Sequence, residues 1–420
     1  MNVLQVSYLD LPGRRFNGYD LLDALEPFGI RGKQAVLEKW SHDSRVTELL
    51  RGEGDLEFQE SLVRMEKQHS LNNVLYPWGR RLASTRAFQD ADVVHYHIIH
   101  QRMISLLDLP MLFSAKPSVW TFHDPWPLTG HCVHPEKCEG WLTGCDPCPY
   151  LDVLFPLRED KAGAMWQLKQ DVYGRVDPDI VVASGFMLDM LERSPLARGF
   201  DRVHLVPFGV DTDLFSPEID RADARRRLGI PEQDFVVFCR ASEWPLKGLE
   251  VVKEALSLHA PLRPTTVLTV DRTGLVDDLK DSYRIVEAGH IADTAMCRLY
   301  AAADVFLMPS TAESFGMVAL EAMACGTPVV ASQVGGLAYL VQDGVTGFTV
   351  PVDDPQALTD RLMSLLSDAE LRSKMGEQAV RYAQGYAWEN IARRLVAVYR
   401  ELCSEKAVKE IRQSPDNLKG

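Results

Sequence analysis

Short apolar runs rich in β-branched residues alternate with amphipathic segments of helical period along nearly the whole chain, and no other feature restricts its fold so strongly. Such alternation reads as parallel strands joined by crossover helices, because strands covered on both faces are apolar throughout while each covering helix is apolar along one stripe. The runs predict strands at Asn2–Ser7, Val93–Ile98, Ser118–Phe122, Ile180–Ala183, Val203–Pro207, Phe235–Cys239, Thr265–Val270, Ile285–Ala288, Val305–Met308 and Val329–Ala331. That is too many for one compact sheet, so two doubly wound, Rossmann-like α/β domains facing a central cleft are expected. The periodicity breaks near Phe208–Pro217, which divides the chain into an N-terminal domain over 1–207 and a C-terminal domain over 208–385. A last amphipathic helix over 386–403 is expected to return to the first domain, ahead of a polar tail at 404–420.

With 420 residues and 46% hydrophobic content there is material for two real cores. A formal charge of −14 argues against a nucleic-acid partner, which would need a basic footprint. The N-terminus lacks a basic n-region and a long apolar run, and no stretch approaches a membrane span, so a cytoplasmic location is expected. Arg80, Arg81, Arg86 and Arg102, interleaved with Tyr76, Trp78 and Phe88, read as a solvated face, with peripheral contact at the inner face of a membrane as the alternative.

In open parallel sheets ligands sit beyond the carboxyl ends of the strands, and the sharpest motifs fall there. After the strand ending at Met308 comes Pro309-Ser310-Thr311-Ala312-Glu313-Ser314-Phe315-Gly316, then a helix stopped by Gly326 and Pro328. Glu321 lies among Val318, Ala319, Leu320, Ala322, Met323 and Ala324, apolar on every side, so a buried carboxylate needing a hydroxyl or cationic partner is expected. Eight residues of helix span ~12 Å, so Glu313 and Glu321 must address different parts of a ligand. The amides at the helix start between them suit a phosphate.

The E-x7-E spacing of Glu313 and Glu321, within ESFGMVALEAMACGTPVVAS, closely resembles the signature of retaining GT-B glycosyltransferases of family 4, which use nucleotide sugars. The resemblance implies that Glu313 approaches the donor sugar, that Ser314, Phe315, Gly316, Met317 and Val318 hold sugar and diphosphate, and that Glu321 binds ribose. Arg240 and Lys247, in the loop after the strand ending at Cys239, resemble the family's diphosphate-neutralising cations. They would stabilise charge on the leaving diphosphate, so no catalytic metal is expected. Phe208 stands where the family usually has Asn, and Gly335-Gly336 resembles its glycine-rich nucleotide loop.

In the first half, His123 ends the strand segment Trp120-Thr121-Phe122 and resembles the family's histidine beside the donor sugar, with Asp124 as its orienter or as a group on the acceptor side. His95 and His97 are second candidates. The first glycine-rich loop is poorly kept, since Gly13 and Gly18 flank Arg14, Arg15, Phe16 and Asn17. Cys132, Cys138, Cys145 and Cys148, spaced C-x5-C, C-x6-C and C-x2-C, resemble an insertion in colanic-acid-type polysaccharide enzymes. A structural zinc, disulfides and free thiols all remain open for them.

The resemblance implies transfer of a sugar, with retention, from a nucleoside diphosphate, UDP favoured and GDP next, to a hydroxyl of a glycan, lipid-linked or small-molecule acceptor. A sugar-nucleotide epimerase of the same fold and a non-catalytic nucleotide-sugar binding protein are the rival readings.

Overall fold

The computed structural model describes residues 1–152, 155–258 and 262–413, with side chains omitted for 293 and 405–413. Two α/β units form, residues 1–209 with the chain from 388 onward, and residues 210–387.

The first unit holds seven parallel strands: β1 (Asn2–Leu9), β2 (Arg31–Glu38), β3 (Val46–Glu48), β4 (Val93–Tyr96), β5 (Ser118–Phe122), β6 (Asp179–Val182) and β7 (Val203–Leu205). Their order is β3-β2-β1-β4-β5-β6-β7, so the direction of winding reverses between β1 and β4. Alternation along each strand divides the core in two. Leu4, Val6, Val94, Trp120 and Val182 pack on one face. Val3, Val93, Val119 and Val181 pack on the other, beneath the C-terminal helix through Ile391, Leu395 and Tyr399.

The second unit holds β8 (Phe235–Ala241), β9 (Thr265–Asp271), β10 (Arg284–Glu287), β11 (Val305–Met308), β12 (Val329–Ser332) and β13 (Gly347–Val350), again all parallel, in the order β10-β9-β8-β11-β12-β13. Here the winding reverses between β8 and β11.

Several expected elements are corrected. Strands β2, β3 and β13 and helices Glu53–His69 and Ala369–Gln384 were not anticipated. The last helix continues from Trp388 to Gln413, so the expected tail begins as helix, and residues 414–420 lie outside the described range. No helix among the described residues is long and apolar enough to cross a membrane. The interleaved aromatics Tyr76, Trp78 and Phe88 are core residues, and Arg80, Arg81 and Arg86 pair with Asp108, Asp55 and Asp90. Apolar surface for a bilayer is therefore not what those residues present.

Candidate functional site

In the second unit the loops after β8, β9 and β11 are tied to one another. Leu246 O accepts from Thr311 N at 3.0 Å, and Ala241 O accepts from Arg272 N at 3.2 Å. The two cations predicted here both hold carboxylates. Arg240, at the end of β8, donates from Nε and Nη2 to Asp271, the last residue of β9, at 2.8 Å each. Lys247 Nζ donates to Glu313 Oε2 at 3.1 Å. All four side chains keep part of their surface in solvent. They form a charged rim that a ligand can reach, and an anion entering it would compete with Asp271 and Glu313 for the cations.

Behind the rim, Gly316 caps the helix Met317–Ala324. The first amides of a helix have no carbonyl partner within it, so those of Met317 and Val318 head the helix as donors. Glu321, one turn further in, is completely buried, as its apolar surroundings predicted, and accepts from Tyr300 Oη at 3.1 Å. Tyr300 was not anticipated; a lone tyrosine among the apolar residues of the Met296–Ala302 helix, beside the single charge of Arg298, was the available signal. Ser314 and Phe315 are buried in the turn that precedes the helix. Gly336 N donates to Glu313 O at 2.7 Å, so the Gly335-Gly336 pair braces the Glu313 turn directly.

In the first unit, strand register assembles a polar group on an apolar face. Gln5 of β1 lies opposite His95 of β4, and His95 opposite Val119 of β5, on the face covered by the C-terminal helix. His95 Nδ1 and Tyr399 Oη are 2.7 Å apart, and His95 Nε2 and Thr121 Oγ1 are 2.6 Å apart. His97 Nε2 lies 2.7 Å from Gln5 Oε1, and His97 Nδ1 lies 3.2 Å from His123 Nε2. Phe208 stacks on the His123 ring, with centroids 5.0 Å apart and planes at 11°, and Phe16 leans on both rings. A cavity of about 20 Å³ opens beside them, lined by Phe16, Gly18, His95, His97, Thr121 and Phe208 among others. Burial pushes His95 and His123 down to about 3 and holds His97 well below its ordinary range, so all three rings are neutral at physiological pH.

This arrangement changes two assignments. Asp124 is not the orienter of His123: its Oδ2 lies 3.1 Å from His100 Nε2, and its Oδ1 accepts from Trp126 N. The neighbour bonded to His123 is His97. Gln5 was missed, although an amide between Leu4 and Val6 in a buried strand was the signal.

In the cysteine-rich segment the four thiols are free, and no group of three or more His, Cys, Asp or Glu is placed to hold a metal ion among the described residues. Three of the sulfurs have local partners. Cys145 Sγ accepts from Gly130 N and Cys138 Sγ from Gly140 N, while Cys148 Sγ lies 3.4 Å from His131 Nε2. Burial pushes the Cys132 thiol up to about 12 and that of Cys145 to about 11. Packed against this segment from the helix Ala162–Tyr173 is Lys169, fully buried, 3.6 Å above the Trp126 ring and donating to the carbonyls of Trp126 and Thr129.

Residues 42–214 match the family model "Glycosyltransferase Family 4", and residues 220–382 match "Glycosyl transferases group 1". The chain is 38% identical over 232 residues to a D-inositol 3-phosphate glycosyltransferase of Corynebacterium urealyticum, a match covering 50% of this chain and 55% of that protein. It is 37% identical over 223 residues to the enzyme of that name from Acidothermus cellulolyticus, covering 49% of each. The chain thus spans about half the length of these relatives, which are named for an inositol phosphate and not for a polysaccharide. Among solved structures, sucrose-phosphate synthase from Thermosynechococcus elongatus is similar with a TM-score of 0.65 at 20% identity, over 96% of this chain and 100% of the other. Anabaena Alr3699/HepE in complex with UDP-glucose is similar with a TM-score of 0.65 at 19% identity, over the same shares.

Proposed function

We propose that this chain is a glycosyltransferase that moves a sugar from a nucleoside diphosphate, a UDP-sugar first, to a hydroxyl of a small-molecule acceptor, with retention of anomeric configuration. The observation that carries the reading is the grouping at the strand ends of one sheet: Arg240 and Lys247, each held by a carboxylate, beside the head of the helix that buries Glu321. Cleaving a sugar–phosphate bond builds negative charge on the departing diphosphate, and fixed cations with helix amides stabilise that charge as it forms. In this reading Glu313 exchanges its bond with Lys247 for a sugar hydroxyl once phosphate neutralises the lysine. Glu321 takes the ribose hydroxyls, with Tyr300 holding one of its oxygens in place. His123 is assigned to the donor sugar on the strength of the family resemblance of its loop.

The names of the relatives favour a small polyol phosphate acceptor over a glycan or lipid-linked one, and the UDP-glucose complex of the structural neighbour favours a uridine donor. The test is incubation of the protein with UDP-glucose, UDP-N-acetylglucosamine or GDP-mannose, with and without D-inositol 3-phosphate, with mass and anomeric analysis of products by NMR. Transfer with retained configuration is expected. Conversion of donor without acceptor would replace the reading with an epimerase, and binding without turnover would replace it with a sensor.

A further inference from the structure

Arg80, Arg81 and Arg86 each pair with a carboxylate, but the guanidinium of Arg102, an exposed residue, makes no ion pair or hydrogen bond among the described residues. Its backbone is the unusual part. Arg102 stands at φ +60°, a left-handed position that costs a residue with a Cβ conformational energy. Glycine or asparagine would fill the turn at lower cost, so the turn does not account for the arginine.

Two buried amides enforce that position from its two sides. Arg102 N donates to Asn73 Oδ1 at 3.0 Å, and Arg102 O accepts from Gln59 Nε2 at 2.8 Å. A second bond fixes which way round each amide lies: Asn73 Nδ2 donates to His100 O, and Gln59 Oε1 accepts from Trp78 Nε1 at 2.7 Å. Turning either amide over would set donor against donor and acceptor against acceptor. Asn73, itself at φ +55°, is held in turn by the buried Glu66, whose Oε2 accepts from its N–H at 3.0 Å. A side chain with no partner is thus mounted on a backbone that is clamped.

Its location gives the side chain a use. Arg102 lies in the loop after β4, and the winding of this sheet reverses between β4 and β1, where open α/β sheets form their ligand crevice. On the β1 side is Tyr8, whose Oη donates to Glu38 Oε1 at 2.9 Å, and the charge of Arg102 acts on the hydroxyls of Tyr8 and Tyr76. A guanidinium presents its donors as a planar fork that matches the oxygens of a phosphate. Unlike Arg240, which is bound to Asp271, this one has no carboxylate to give up first.

We propose that Arg102 is the phosphate receptor for the acceptor: its fork binds the phosphate monoester of a small polyol phosphate, and the clamp of Gln59 and Asn73 holds it at the crevice. The proposal rests on the acceptor part of the glycosyltransferase reading, to which it adds a residue and a charge.

Calorimetric titration of the full-length protein with D-inositol 3-phosphate and with unphosphorylated inositol, each in the absence and presence of UDP, tests this. D-inositol 3-phosphate is expected to bind wild type. Arg102→Gly should weaken that binding by about tenfold or more yet melt no lower than wild type, because glycine takes the same backbone without strain. Arg102→Lys, which keeps the charge but not the fork, should fall between the two. Inositol, which lacks the phosphate, should not distinguish wild type from Arg102→Gly. Equal affinity of wild type and Arg102→Gly for D-inositol 3-phosphate overturns the proposal, as does a wild type that does not bind it. D-inositol 3-phosphate that binds through Arg102 but receives no sugar from any nucleotide sugar removes the transfer reading and leaves the phosphate receptor. Transfer to it by Arg102→Gly at undiminished kcat/KM removes the receptor and leaves the transfer reading.

Discussion

Arg240 grips Asp271 with two parallel hydrogen bonds of 2.8 Å, Nε to Oδ2 and Nη2 to Oδ1. The aspartate does so from a left-handed backbone position, φ +85°, which a non-glycine residue occupies at a cost of about 1–3 kcal/mol. Strain of that size persists only where surrounding structure enforces it, and here it aims a carboxylate at the cation expected to meet the diphosphate. Arg240→Ala is expected to lower turnover by roughly 10²–10³-fold, and Asp271→Asn by roughly tenfold, with smaller effects on donor binding. Steady-state kinetics with UDP-glucose and D-inositol 3-phosphate measure both, and an Arg240→Ala enzyme of normal turnover would remove that guanidinium from the reaction.

Glu321 and Tyr300 separate two roles of one carboxylate. Glu321→Gln keeps an acceptor for Tyr300 Oη but loses the charge. It should leave stability nearly intact and weaken donor binding by about tenfold, the worth of roughly 1.4 kcal/mol. Glu321→Ala also removes the acceptor that Tyr300 Oη meets and should cost a further 1–3 kcal/mol or so of stability. Calorimetric titration with UDP alongside thermal melting distinguishes these effects; unaltered UDP affinity in both variants would contradict the ribose assignment.

Gly335 has φ +49°, and a Cβ there would stand 1.9 Å from Glu313 O. Gly335→Ala must push the Glu313 turn away. A loss of more than about 1 kcal/mol of stability is expected, together with weakened donor binding, because the displaced residue carries the carboxylate bonded to Lys247. Urea midpoints and UDP-glucose titration check the two halves, and a variant as stable and as tight as wild type would show that the turn gives way freely.

The buried histidines predict acid sensitivity. His95 and His123 are lowered to about 3 from 6.5 by burial, and His97 is lowered too. Between pH ~3 and ~6.5 the unfolded chain therefore binds more protons than the folded one. Stability rises with pH across that window and is lost as pH falls below about 6.5, by up to ~1.4 kcal/mol per pH unit for each ring. His95→Gln retains groups that can meet Tyr399 and Thr121, and should flatten the slope between pH 6 and 4 by close to one proton's worth. Urea unfolding at a series of pH values tests this; parallel slopes for the two proteins would mean that His95 titrates normally in the fold.

Two of the elements that escaped the sequence reading share a cause. Strand β2 is buried only over Gln34–Leu37 and begins Arg31-Gly32-Lys33, so its apolar run is cut short. Helix Glu53–His69 buries just Gln59, Leu62 and Glu66, two of them polar. Those two are satisfied by tertiary partners: Gln59 accepts from Trp78 Nε1, and Glu66 accepts from the amides of Asn73, Val74 and Leu75. Glu66 is therefore a second nearly buried glutamate, sitting in a helix that looks solvated, whereas Glu321 was visible because every neighbour in its helix is apolar.

Local chemistry along the chain was enough to establish the alternation of strands and helices, the loops where the cations and carboxylates gather, and the burial of Glu321, because each depends on residues within a few positions of one another. Pairing was decided by the folded sheets. Gln5 and His97 are 92 residues apart, and Arg240 and Asp271 are 31 apart. Only the register of parallel strands brings each pair within hydrogen-bond reach, and register is a property of how separate segments align their buried faces.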